Sequence, residues 1–329
     1  MHQWKDTGNP YYVTKLGQAF LGDSASLLSF FPSESINLVI TSPPFALRRK
    51  KKYGNVSAEE YIDWFLPFAK EIHRVLTPNG SFVLDIGGSW NEGEPTRSLY
   101  HFELLLALCK DAQLFKLAQE FYWYNPAKLP APAEWVTIRR VRVKDAVNPI
   151  WWLSKGATPK ACNRRVLTPY KESMIKLFKN GYNSGIRPSE HNISKKWGKN
   201  NNGAIPPNML NISNLLSASN TKSFDSYLES CRKLGLRLHP ARFVEFVPEF
   251  FIKFLTTRRD LVLDPFAGSN VVGSVAEKLG RRWKSIELSE EYLRGSFFRF
   301  ENARPTNSSL KTFLKENHVV RKSIYVEAE

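Results

Sequence analysis

The sequence predicts an α/β fold with a mostly parallel sheet and a loop-rich insert, on three observations. Leu38-Val39-Ile40 and Leu261-Val262-Leu263 are apolar runs without polar alternation, the pattern of strands covered on both faces. Both runs end in stiff or tight turns, Ser42-Pro43-Pro44-Phe45 and Asp264-Pro265-Phe266-Ala267-Gly268-Ser269-Asn270. Helical patterns lie between the strand candidates, as in chains that wind helices over a parallel sheet.

Taken in order, Tyr11 to Leu21 reads as a first strand closed by Gly22-Asp23-Ser24, which sets an acid at its tip, and Ser26 to Phe31 as a short helix. Ile36 to Ile40 is a buried strand that stops at Ser42-Pro43-Pro44-Phe45. Two consecutive prolines lack N–H donors and have a fixed φ, so the strand cannot continue. A hydroxyl, two carbonyl oxygens and an aromatic ring are left at the carboxyl end of a strand, where open α/β sheets bind ligands. Arg48-Arg49-Lys50-Lys51-Lys52 follows directly; such a run is commonly a solvated loop, but this position suits phosphate contact.

Ser57 and Glu60 form a capping box. They open a helix of about 20 residues by the spacing of Tyr61, Trp64, Phe65, Phe68, Ile72 and Val75. Thr77-Pro78-Asn79-Gly80 stops it, and Ser81 to Ile86 is a strand ending in Gly87-Gly88. Asp85 near its end either touches a site or caps a turn. Ser98 to Asp111 is helical, and Phe115 to Trp123 and Lys144 to Trp152 are strand candidates, the second carrying Asn148, Trp151 and Trp152.

From Gly156 to about Arg237 periodicity fades and Asn, Ser, Gly and Lys accumulate, while Trp197, Ile205, Met209, Leu210 and Ile212 argue for an ordered, loop-rich subdomain. The strand ending at Asp264 then meets a glycine-containing turn and a helix near Val271, a geometry that lets a cofactor approach backbone and helix N-terminus. Arg282 to Glu287 is the next strand, its terminal acid about 20 residues after the turn, where an acid can grip ribose hydroxyls. The expected division is 11–155 and 238–303 as two halves of one core, 156–237 as a recognition region and 304–329 as a tail.

With 329 residues and 42% hydrophobic content the chain is globular. Its 47 Lys and Arg against 31 Asp and Glu give +16, which points to a polyanion partner, nucleic acid first. Cys109, Cys162 and Cys231 are too few and too scattered for a disulfide framework or a metal site, so no metal is expected and a reducing cytosol is. Met1 to Pro10 lacks the apolar stretch of a secretory leader, and no apolar run is long enough to span a membrane.

Ser42-Pro43-Pro44-Phe45 resembles the catalytic motif of the DNA amino-methyltransferases, which methylate an exocyclic amino group of cytosine or adenine. Ser is usual at its first position in cytosine-N4 enzymes, Asp or Asn in adenine-N6 enzymes. Asp264 to Asn270 resembles the Asp-Pro-Phe-x-Gly-Ser-Gly motif of S-adenosylmethionine-dependent DNA methyltransferases, with Asn270 for the last Gly. His239-Pro240-Ala241-Arg242-Phe243 resembles the segment leading into the helix beside the cofactor's methionine end, with Val244 where the family often has a second Pro. The cofactor pieces follow the catalytic motif, and closing the chain into a circle would restore the usual order. This permuted arrangement resembles the β class and is most similar to the PvuII-type cytosine-N4 methyltransferases of restriction-modification systems, over residues 11 to 303.

The resemblance implies a circularly permuted Rossmann-like S-adenosylmethionine-dependent methyltransferase, with a seven-stranded, mostly parallel sheet and an inserted target-recognition region. It implies methyl transfer from S-adenosylmethionine to cytosine N4 at a short specific site in double-stranded DNA. It also implies a bacterial, cytoplasmic monomer and a cognate restriction endonuclease sharing that site. Ser42, Pro43, Pro44 and Phe45 would be catalytic. The Ser42 hydroxyl and Pro43 carbonyl would grip the two amino hydrogens and free the nitrogen lone pair, and Phe45 would stack on a base flipped out of the duplex. Asp23 would hold the cofactor's adenine amino group and Glu287 its ribose, with Thr41, Asp264, Pro265, Phe266, Gly268, Ser269, Asn270, His239 and Arg242 completing that site. Arg48, Arg49, Lys50, Lys51, Lys52, Trp151, Lys195 and Lys196 would meet DNA, and Asn and Arg side chains of 156–237 would read base edges. Three rivals are weaker. An adenine-N6 enzyme is disfavoured by Ser42, and a non-catalytic DNA-binding protein with this core by intact Ser42, Asp264 and Glu287. A nicotinamide-dependent oxidoreductase fits neither Ser42-Pro43-Pro44-Phe45 nor the charge.

Overall fold

The computed structural model describes residues 8–46, 56–126, 128–181, 185–194, 198–210, 226–240 and 243–319. Strands β1 (Tyr12–Val13) and β2 (Gly17–Leu21) form a hairpin, followed by helix α1 (Ser24–Leu28). The single strand expected over 11–21 is thus two, because Thr14 N–H donates to Gly17 O at 2.9 Å and turns the chain. Strand β3 (Ile36–Thr41), helix α2 (Tyr61–Val75) and strand β4 (Leu76–Asp85) come next. Helix α2 has 15 residues, since the Ser57–Glu60 exchange sits in the turn before it, with Glu60 N–H donating to Ser57 Oγ at 3.3 Å. Thr77 to Gly80 opens β4 through an irregularity against β3, a place where Pro78 costs no ladder bond.

Helix α3 (Tyr100–Leu106) continues into a wider turn over Ala107–Asp111, and strands β5 (Lys116–Tyr124) and β6 (Val147–Ser154) pair antiparallel. The insert holds α4 (Glu172–Asn180), the small hairpin of β7 (Gly185–Ile186) and β8 (Asn192–Ile193), β9 (Met209–Leu210) and α5 (Ser226–Lys233). The chain closes with α6 (Phe246–Leu255), β10 (Leu261–Asp264), α7 (Val271–Lys278), β11 (Arg282–Glu287), α8 (Glu290–Ser296), β12 (Arg304–Pro305) and α9 (Ser308–Glu316).

Among the described residues the main sheet has ten strands in the order β12-β1-β2-β11-β10-β3-β4-β6-β5-β9. Its centre is the expected seven, β2 to β5, with β2, β11, β10, β3 and β4 all parallel and β6 reversed. The three extra strands are two-residue pairings that cover both edges, a common protection of an open sheet. Alternate residues face opposite layers: Leu38, Ile40, Val83 and Trp152 pack under α6, α7 and α8, while Val39, Phe82, Leu84 and Trp151 pack under α1, α2 and α3. No described helix is long and apolar enough to cross a membrane.

Two consequences bear on function. From β10 the chain winds outward to β11, whereas from β3 it winds the other way to β4, so a crevice opens between the carboxyl ends of β10 and β3. The first residues of the expected recognition region contact the core. Lys160 pairs with Asp260 at 2.6 Å, and the Arg165 guanidinium donates to Phe254 O and Thr256 O at 2.8 Å each, clasping the opposite end of the sheet.

Candidate active site

The proline pair does what its chemistry requires. β3 ends at Thr41, and Ser42 to Phe45 leave the sheet at its carboxyl edge. Tyr61 of α2 donates its hydroxyl to Pro44 O at 2.8 Å, which pins the turn from the helix side. The Phe45 ring lies over the backbone beyond β4, where a Cβ on Gly87 would stand 2.6 Å from it. The Ser42 hydroxyl hydrogen-bonds to Asp85 at the end of β4. Of the two readings of Asp85, contact with the site is the one realised.

The second turn is built for close approach. Gly268 has φ +53°, a left-handed conformation in which a Cβ would also meet the His239 ring at 3.0 Å. Asn270 takes the same conformation, caps α7 by accepting from Gly273 N–H at 3.1 Å, and donates its amide to Tyr12 Oη at 2.9 Å. Asn is the side chain that tolerates this conformation best after Gly, so the departure from the family's glycine leaves the turn open. Glu287 of β11 accepts from Gly268 N–H at 2.7 Å and from Ser289 N–H at 2.8 Å, bracing the turn from below. Asp23 caps α1 by accepting from Ser26 N–H at 2.9 Å, and Ser24 donates to Pro265 O.

Burial sets the charge state. It pushes the Asp85 carboxyl up to about 7, against the Ser42 hydrogen bond and the Lys128 ammonium. It pushes Asp264 up to about 7 as well, with Glu287 adding to the rise and Thr41 and Phe266 N–H opposing it. Glu287 is raised by burial despite its backbone donors. Burial thus raises all three strand-end carboxyls, Asp85 and Asp264 to about 7, and a cationic ligand beside them would favour their charged forms.

A single cavity of about 510 Å³ brings together Ser42, Pro43, Pro44 and Phe45 with Asp23, Asp264, Pro265, Phe266, Gly268, Ser269, Glu287 and His239. Thr41 and Asn270 do not face it: both are fully buried and act behind the wall, Thr41 through a 2.6 Å hydrogen bond to Asp264. Trp151 corrects an expectation. It sits in β6 between β4 and β5, 2% exposed under α3, where DNA does not reach it. Arg48, Arg49, Lys50, Lys51, Lys52, Lys195, Lys196 and Arg242 lie outside the described residues.

Sequence reasoning missed part of the lining. Trp64 and Phe68 of α2 read as core by their spacing, yet they lie tilted beside Phe266 at 5.9 and 5.1 Å between ring centres and wall the cavity. Phe243, Leu288 and Tyr292 add further apolar surface, and Tyr292 meets the His239 ring edge-on at 4.6 Å. Asp23 and Glu287 at one end of an apolar slot match a ligand with an amine-bearing ring and vicinal hydroxyls.

Comparison with known proteins agrees in kind. A family model described as DNA methylase matches residues 36–298. The Type II methyltransferase M.PvuII of Proteus hauseri is 50% identical over 294 residues, 88% of this chain and 85% of that protein. The Type II methyltransferase M.ScaI of Streptomyces caespitosus is 27% identical over 295 residues, 88% of this chain and 83% of that protein. A solved structure, PvuII DNA methyltransferase (cytosine-N4-specific), matches with a TM-score of 0.71 at 43% identity, covering 94% of each chain.

Proposed function

The chain belongs to the DNA methylase family, and from that premise we propose that it transfers a methyl group from S-adenosylmethionine to the N4 amino group of cytosine in double-stranded DNA. The observation that carries this reading is one cavity that holds Ser42-Pro43-Pro44-Phe45 at the end of β3 beside Asp264 to Ser269 at the end of β10. The 43% identity to the solved cytosine-N4-specific PvuII DNA methyltransferase supports the choice of base, and the 50% identity to the Type II methyltransferase M.PvuII supports a restriction-modification setting.

S-adenosylmethionine, when bound, supplies an electrophilic methyl on a sulfonium. Glu287 accepts from its ribose hydroxyls, Asp23 from its adenine amine, and Phe243, Phe266 and Tyr292 cover apolar surface. The Pro43 carbonyl and the Ser42 hydroxyl receive the two amino hydrogens of the target, while Tyr61 steadies the turn through Pro44 O. Asp85 holds the Ser42 hydroxyl, and the Phe45 ring stacks on the base. The amino nitrogen lies inside the duplex, so the cytosine is flipped out to reach these groups. Thr41 and Asn270 position the cofactor turn from behind. The remaining proposals are a monomer in a bacterial cytoplasm, a short palindromic site protected from a cognate endonuclease, and a division into core (11–155, 238–303), recognition region (156–237) and tail (304–329).

The test is to incubate the purified chain with methyl-labelled S-adenosylmethionine and duplex DNA, digest to nucleosides and separate by mass. N4-methylcytosine is expected, and modification-sensitive sequencing of the same DNA gives the site. A pool of N6-methyladenine would replace the base and keep the reaction; no methylated nucleoside would reject both.

A further inference from the structure

This inference rests on the reading above, in which a flipped cytosine stacks on Phe45. Beyond β4 the chain runs Gly87-Gly88, and two side chains lie over these consecutive residues. A Cβ on Gly87 would stand 2.6 Å from the Phe45 ring, and one on Gly88 would stand 1.8 Å from Arg97 Nη2. Consecutive Cα atoms are about 3.8 Å apart. The stacking ring and a guanidinium therefore lie over neighbouring backbone positions at the end of β4.

Arg97 is held in place. Its Nη1 donates to Asp145 at 2.8 Å, and its guanidinium carbon lies 5.0 Å from the centre of the Trp90 ring. Among the described residues neither Nε nor Nη2 meets an acceptor. Trp90 also carries Arg142 at 3.9 Å, whose own Nη1 donates to Pro95 O at 2.6 Å. Lys128, half-buried, donates to Asn148 Oδ1 at 2.8 Å and faces Asp85 and Asp145. Arg97 and Lys128 thus share the partly exposed carboxylate of Asp145, and Arg142 joins Arg97 on the Trp90 ring. Burial lowers the Lys128 ammonium and Arg97 lowers it further, against the pull of Asp145 and Asp85. Arg97 keeps two donor nitrogens for a ligand.

We propose that Arg97, oriented by Asp145 and Trp90 and assisted by Lys128 and Arg142, binds a backbone phosphate next to the nucleotide whose base occupies the cavity. A guanidinium fork suits phosphate geometry, and phosphate contacts fix register without reading sequence. One end of the extruded nucleotide is then held by its base on Phe45 and the other by its phosphate on Arg97.

A cycle between protein and DNA tests this. Duplexes carrying the identified site are made with a neutral methylphosphonate on either side of the target cytosine. Wild type should bind one of the two roughly tenfold more weakly than natural DNA. Arg97→Gln should lose a similar factor on natural DNA, flatten the salt dependence by about 0.9 in slope, and ignore the methylphosphonate at that position. Arg97→Lys keeps the charge without the fork and should fall between them. Cofactor affinity checks that each variant is folded. If Arg97→Gln lost it, the wild-type penalties and Arg97→Lys would decide. Penalties that simply multiply, or a wild type indifferent to both methylphosphonates, overturn the proposal. Wild-type methylation of the natural duplex is scored alongside. If it proceeds, the methyl-transfer reading survives such a result; if it does not, the reading and this inference fall together.

Discussion

Thr41 Oγ1 donates to Asp264 Oδ1 at 2.6 Å, tying the carboxyl end of β3 to that of β10. The two residues are far apart in the chain and come together only because β3 and β10 are neighbours at the reversal of the sheet. The bond joins the strand of the Ser42 turn to the strand of the Asp264 turn, so the two halves of the cavity share one rigid seam.

That seam carries a pH signature. Asp264 is raised from 3.8 to about 7 in the folded protein, so between those values the folded state binds more protons than the unfolded chain. Stability therefore falls as pH rises through that window, and Asp85, also raised to about 7, contributes in the same sense. Asp264→Asn cannot ionise. Its melting temperature relative to wild type should climb from pH 4 to pH 8, whatever its absolute value. Melting curves across that range decide, and a constant offset would show that burial does not raise the Asp264 carboxyl.

Ser42 tests the chemistry. Its hydroxyl is held by Asp85 at the mouth of the cavity and is expected to accept one amino hydrogen of the target. An interaction that strengthens only toward the transition state appears in turnover and not in binding. Ser42→Ala should slow single-turnover methyl transfer by about 2–4 kcal/mol, near the loss of one oxyanion-hole donor, with cofactor and DNA affinities nearly unchanged. A full single-turnover rate would leave the Pro43 carbonyl and Phe45 as sufficient.

Tyr61 tests the turn behind the chemistry. Its fully buried hydroxyl reaches Pro44 O at 2.8 Å. Tyr61→Phe keeps the ring, so its packing against Trp64, Phe65 and Tyr100 should survive. Loss of that bond should slow methyl transfer by about 1 kcal/mol while cofactor affinity holds. A matching loss in cofactor affinity would mean that Tyr61 supports the whole cavity and not the proline turn in particular.

Much of this geometry is legible in the residues. The strands that end at Thr41, Asp85, Asp264 and Glu287 announce themselves by apolar runs stopped by turn chemistry, and those ends converge on the cavity. What stays hidden depends on three dimensions. Trp64 and Phe68 sit at helical spacing that core packing explains equally well, and only the placement of α2 over Phe266 makes them wall residues. Trp151 carries no local sign that both faces of β6 are covered. Arg97 and Lys128 lie in stretches without periodicity, and their relation to Asp145 and Asp85 comes from loops meeting at the sheet edge. The β1–β2 hairpin escapes notice because Thr14-Lys15-Leu16 lacks the glycine or asparagine that usually marks a two-residue turn.

Asn270 shows how one substitution in a recognisable motif can be read in physical terms and then measured. The family's glycine would allow the left-handed backbone at no steric cost; Asn270 takes φ 53°, ψ 45° and adds two interactions that glycine cannot. Its Oδ1 accepts from Gly273 N–H at 3.1 Å, and its amide donates to Tyr12 Oη at 2.9 Å, which itself pairs with Ser296 Oγ at 2.8 Å. Asn270→Gly keeps the backbone and loses both bonds, a cost of about 1 kcal/mol because Tyr12 retains Ser296. Asn270→Ala loses the same bonds and must also place a Cβ in the left-handed region, which adds about 1–2 kcal/mol. Denaturant unfolding should therefore rank wild type above Asn270→Gly and Asn270→Gly above Asn270→Ala, with unchanged m-values. If Asn270→Gly were the most stable, the cap and the Tyr12 bond would contribute nothing, and Asn270 would be a tolerated departure rather than a brace. If glycine and alanine were equal, the left-handed conformation would not be what the position demands.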